Sequence, residues 1–109
     1  MFKREITVGD KKFELRNSIK ARMTFDQILN SVSENSLGAY TKTWLMLYSY
    51  IIAHNDVDMQ FDEFIDWIDD NGFTQEVMEE FTKFLNDAAE QESLRTKEKD
   101  KKPTKGSKN

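Results

Sequence analysis

The stretch from Leu37 to His54 sets the strongest constraint on the fold, because its apolar residues cover nearly every side of a helix. Leu37, Tyr40, Trp44, Leu47, Tyr48 and Ile51 form one stripe, and Leu45, Met46, Tyr50 and Ile52 fill the flanks. A helix apolar all round is soluble only when neighbours cover it, or when it lies in a membrane. Its longest apolar run, Trp44 to Ala53, is ten residues interrupted by Ser49. That is about half of the roughly 20 residues needed to cross a bilayer. The segment therefore reads as the central helix of a water-soluble domain, and the rest of the chain must supply its cover.

The flanking sequence offers that cover in pieces. Ile6, Val8, Phe13 and Leu15 alternate with polar residues around Gly9-Asp10, a pair suited to a two-residue type II′ turn. This predicts a hairpin over residues 3–16 with Ile6 opposite Phe13 and one apolar face. Ser18 is placed to cap a helix over about 18–32, with Ala21, Phe25, Ile28, Leu29 and Val32 on one stripe. Ser33 to Ser36 is polar and breaks the pattern. After a loop at 55–59, Phe61, Phe64, Ile65 and Ile68 predict a third helix over about 60–71, stopped by Asn71-Gly72 through a left-handed cap. Thr74 then caps a fourth helix over about 74–93, with Val77, Phe81, Phe84, Leu85 and Ala88 inside. The expected architecture is α+β but mainly α: one domain over 1–93, with an N-terminal β-hairpin packed on a bundle of about four helices.

Charge is partitioned along the chain. Residues 1–54 carry eight Lys/Arg against five Asp/Glu, residues 55–93 one against thirteen, and residues 94–109 seven against two. The last block has a single apolar residue, Leu94, too little to offset the entropy of ordering, so 94–109 reads as a disordered basic tail. Met1 to Arg4 leads directly into charged, strand-like residues, so no signal peptide is expected. The absence of cysteine removes disulfides and thiolate metal sites.

Little in the sequence suggests catalysis. The acidic run Asp56, Asp58, Gln60, Asp62 fails the calcium-loop pattern, with Phe61 where the turn needs Gly and Trp67 where a bidentate Glu belongs. His54, the one histidine, stands at the end of a helix, where the dipole accounts for a cation, and it has no cysteine or elbow serine to activate. Glu63, Asp66 and Asp70 share a helix face but read as solvated. No glycine-rich phosphate loop is present. The expectation is a non-enzyme with no cofactor, no metal and no catalytic residue. Trp67 and Met78 lie off their helix stripes and suit docking of a partner's amphipathic helix. The acidic block opposes nucleic-acid stacking by the tyrosines.

Five segments in order carry a resemblance: the hairpin ITVGDKKFEL (Ile6 to Leu15), MTFDQIL (Met23 to Leu29), WLMLYSYIIAHN (Trp44 to Asn55), FDEFIDWIDDN (Phe61 to Asn71) and the final amphipathic helix. Over about residues 3–90 the chain resembles the small tail assembly chaperones of long-tailed bacteriophages and prophages. The resemblance implies a non-catalytic protein of the bacterial host cytoplasm. It would coat the helical tape measure protein and leave as tail tube subunits polymerise, with no membrane or nucleic-acid partner. Phe64, Trp67, Met78 and Phe81 are the expected contacts, chosen from amphipathicity. Self-association stays open. The alternative from another class is a regulatory adaptor whose basic tail touches nucleic acid, which predicts steep salt dependence lost on truncation after Ser93.

Overall fold

A computed structural model describes residues 1–32 and 37–107, and only the backbone of 96–107. The order is β1 (Lys3–Val8), β2 (Lys11–Arg16), α1 (Ile19–Asn30), α2 (Ala39–His54), α3 (Phe61–Asn71) and α4 (Thr74–Ser107). The architecture is mainly α with a small β part, and no described helix is long and apolar enough to cross a membrane.

The hairpin forms in the expected register, with Ile6 opposite Phe13 and Thr7 opposite Lys12. Gly9 has φ +63°, and no other residue in the described chain has a positive φ. A positive first and negative second turn residue is the type II′ pattern, whose twist matches the strands it joins. Ile6, Val8, Phe13 and Leu15 are all buried. A two-stranded sheet is marginal alone, so this face is held by what it packs on: β2 lies along α2 and β1 along α4. The outer edge of β2 is satisfied by a side chain. Asn55 Oδ1 accepts from the Glu14 N–H at 2.9 Å while Nδ2 donates to the Glu14 carbonyl at 2.9 Å, so one amide mimics a third strand.

α2 is the most buried element, with Trp44, Leu45, Leu47, Tyr48, Ser49, Tyr50, Ile51 and Ala53 all inside. Residues two apart on a helix point about 200° apart, so Tyr48 and Tyr50 serve opposite neighbours. Tyr48 meets Phe61 and Phe64 of α3 at 5.6 and 5.2 Å, and Tyr50 meets Phe81 and Phe84 of α4 at 5.8 and 6.2 Å between centroids. The Tyr48 hydroxyl also donates to the Met59 carbonyl at 2.6 Å, pinning the loop before α3. α3 opens with a capping box between Gln60 and Glu63.

Several boundaries differ from the sequence reading. Ser18 does cap α1, accepting from the Ala21 N–H, but α1 stops at Asn30, and Val32 lies outside it and exposed. Ser31 is the cause: its N–H and its hydroxyl both turn back to the Ile28 carbonyl. The polar break at 33–36 lies outside the described residues. α2 begins at Ala39, after Leu37, with Gly38 at the N-cap. Thr74 is the first residue of α4 rather than its cap, the Phe73 carbonyl accepting from Val77 N–H. The backbone of α4 is helical to Ser107, past the expected end near Ser93, through a lysine-rich stretch that also holds Pro103 and Gly106. Beyond Arg95 the side chains of the basic tail lie outside the described residues.

The α3 stop works through space rather than a left-handed turn. Gly72 has φ −118° and ψ 167°, an extended conformation open to any residue. A Cβ there would meet Val8 Cγ1 at 2.8 Å, and one on Gly9 would meet the Asn71 carbonyl oxygen at 3.0 Å. The hairpin turn is thus seated directly on the α3/α4 junction. Replacing Gly72 by Ala is expected to cost about 1–3 kcal/mol through overpacking against Val8, measured by urea unfolding. An unchanged midpoint would show that the turn is not seated there.

Candidate functional site

The four residues expected to contact a partner do not form one surface. Phe64 and Phe81 have no exposed area and stand in the centre of the core, so in this fold neither reaches a partner. They lie on the apolar stripes of α3 and α4, the positions a packed helix buries first. Trp67 is half-buried on the hairpin side, edge-on to Phe13 at 5.8 Å, with Lys11 Nζ 5.8 Å from its ring centroid. Met78 is half-buried on a different side, against the flank of α4.

His54 has a structural task. Its Nε2 lies 2.6 Å from Ser18 Oγ, which itself accepts from the Ala21 N–H at 3.0 Å. The Ser18 hydroxyl therefore joins the end of α2 to the start of α1. The helix dipole favours a cation here, yet burial, and after it the Arg16 and Lys20 charges, hold the imidazole pKa below its usual value. The lowered pKa favours the neutral ring over the cap-side cation expected from sequence, and in the neutral ring either partner of the Ser18 contact can carry the shared proton. Asp56 and Asp58 are exposed in the following loop. Among the described residues no three His, Cys, Asp or Glu side chains are grouped to hold a metal ion.

The surface that the structure does assemble lies where the cover of α2 runs out. A half-open cleft of about 660 Å³ is bounded by Tyr40, Thr41 and Trp44 of α2, by Phe61, Ile65 and Ile68 of α3, and by Thr74 at the start of α4. Asp62, Asp66 and Asp69 of α3 complete its lining. On the other side of Tyr40 a second cleft of about 690 Å³ runs along α4 past Met78 and Thr82, with Glu79 and Lys83 on it. Tyr40 and Thr74 belong to both.

Tyr40 is 68% exposed and Phe73, next to Thr74, is 76% exposed. Tyr40 touches Trp44 edge-on at 6.3 Å and otherwise divides the two clefts. Sequence periodicity placed Tyr40 on the buried stripe. The signal against that was local: Ala39, Thr41, Lys42 and Thr43 surround it, and no apolar segment remains to cover the first turn of α2. Chemically the site offers an apolar floor with aromatic edges, and carboxylates along one side. It can bury apolar side chains and hold cations at the rim.

The His54 contact gives a pH dependence. A histidine whose folded pKa lies below its unfolded value of about 6.5 contributes stability that is full above that pH. The contribution is lost as pH falls from the unfolded value through the folded one. The melting temperature is therefore expected to fall between pH 7 and pH 5, and to fall less in His54→Gln, whose amide can pair with Ser18 in either direction and does not titrate; equal slopes would contradict the assignment. Comparison with protein-family models, curated proteins and solved structures finds no match to this chain.

Proposed function

We propose that the protein is a non-catalytic chaperone of the phage tail assembly type, working in the bacterial cytoplasm. In this reading it covers apolar helical stripes of the tape measure protein until tail tube subunits replace it. The observation that carries the proposal is the half-open cleft between α2 and α3, with Trp44, Phe61 and Ile65 along an apolar floor, Tyr40 at its edge and three aspartates at its side. An amphipathic helix laid into such a groove buries its apolar stripe, as in other helix-in-groove complexes. Long apolar stripes left bare promote aggregation. The acidic block at 55–93, thirteen acids against one lysine, favours solubility of the loaded complex by like-charge repulsion. The same charge opposes phosphate backbones, which disfavours nucleic acid as the occupant of this face.

The contacts assigned to the partner are Tyr40 and Ile65, with Met78 in the adjoining cleft, in place of the buried Phe64 and Phe81. The test is to dilute a helical tape measure segment from denaturant with and without the full-length chain, and to measure what remains in the supernatant after centrifugation. An equimolar amount of the protein is expected to keep most of the segment soluble. The pair Tyr40→Ala and Ile65→Ser, with circular dichroism unchanged, is expected to lower the yield several-fold. Equal precipitation with and without the protein, or a double variant as effective as the parent, would sink the proposal.

A further inference from the structure

Resting on that docking reading of the α2/α3 cleft, we infer its code: the occupant is a helix whose apolar stripe is bordered by lysine or arginine, seated along α3. Asp62, Asp66 and Asp69 fall at i, i+4 and i+7, so their carboxylates run in a line of about 10 Å on the cleft side of α3. A partner helix repeats its side chains at the same spacing, so a basic edge of two to three residues can meet that line in register.

Three observations single out this occupant. Among the described residues none of the three aspartates is in an ion pair, and Lys83, the lone basic residue of 55–93, lines the other cleft. The arrangement also works against α3 itself. Asp66 faces like charges at Asp62, Asp69 and Asp70, and the last turn carries Asp69 and Asp70 with no basic residue against the negative end of the dipole. Charges placed against the stability of their own helix fit a site that is completed by an external cation. Finally, the carboxylates do not gather round a point as a metal needs, and the floor of Trp44, Phe61 and Ile65 asks for an apolar counterpart that a bare cation lacks. At about 16 Å, α3 matches roughly three turns of partner helix.

The probe is a pair of fluorescent synthetic helices of 18 residues with one leucine stripe, bordered by lysine in one and by glutamate in the other. Their binding to the full-length chain is followed by anisotropy at low and high salt. The lysine helix is expected to bind at least about tenfold more tightly than the glutamate helix, with the preference shrinking as salt rises. The triple variant D62N/D66N/D69N should lose about tenfold in affinity for the lysine helix, yet melt about 2–5 °C higher because the like-charge pairs are gone. A charge-matched control, D56N/E80Q/E90Q, should bind within about twofold of the parent.

Equal affinity for the two helices, or full affinity in the triple variant, would overturn the inference. So would a control that loses as much as the triple variant, since the attraction would then be nonspecific. The two readings fail differently. If the triple variant still keeps the tape measure segment soluble as well as the parent does, the charge code falls and the chaperone proposal stands. If neither synthetic helix binds and the segment precipitates, both fall.

Discussion

The fold is organised by the need to cover α2 on every side. Its sequence is not a strong helix former by propensity, since aromatic and β-branched residues make up much of Trp44 to Ile52. Tertiary burial sustains it. Tyr48 and Tyr50 divide the aromatic contacts between α3 and α4, while β2 and α1 pack along the rest of the helix. Four hairpin side chains, Ile6, Val8, Phe13 and Leu15, go into the same core. At about 1.5–3 kcal/mol for each buried side chain of this size, they outweigh exposed ion pairs, which contribute about 0–1 kcal/mol each. Even the close Arg4–Asp87 pair between β1 and α4, at 2.6 Å and one-third exposed on each side, ties two elements that apolar burial has already brought together.

The cover is incomplete at one end, and that incompleteness creates the site. The first turn of α2 is left partly uncovered, with Tyr40 in solvent and Trp44 lining a cleft. α3 and the start of α4 supply the other walls. Every apolar group lining that cleft belongs to an element already fixed by its packing on α2, so the groove is held open without a dedicated scaffold. Preformed grooves of this kind lose little ordering entropy on binding. The acidic rim follows from the amphipathicity of α3, whose inner face is Phe64 and Ile68 and whose outer face is almost entirely carboxylate.

The sequence made the framework legible and the surface much less so. The hairpin register followed from alternation and the Gly9-Asp10 pair, and the central place of α2 followed from its all-round apolarity. Both are strong local signals with one physical solution. Phe64 and Phe81 were expected on a contact surface and lie in the core, because amphipathicity identifies which face packs but cannot say whether the neighbour is the same chain or another. Tyr40 was expected in the core and is exposed for the opposite reason: it continues a buried stripe beyond the last element able to bury it. The Gly72 contact with Val8 and the His54 contact with Ser18 join residues 64 and 36 positions apart, and no local pattern encodes such meetings.

Docking of an amphipathic helix on the unfinished cover of α2 can be read by amide hydrogen exchange along the full chain, with and without a saturating helical tape measure segment. New protection is expected in the first turns of α2, along α3 and at the start of α4, with the hairpin and α1 unchanged. Protection confined to the hairpin and α1, or none anywhere at saturation, would contradict docking there.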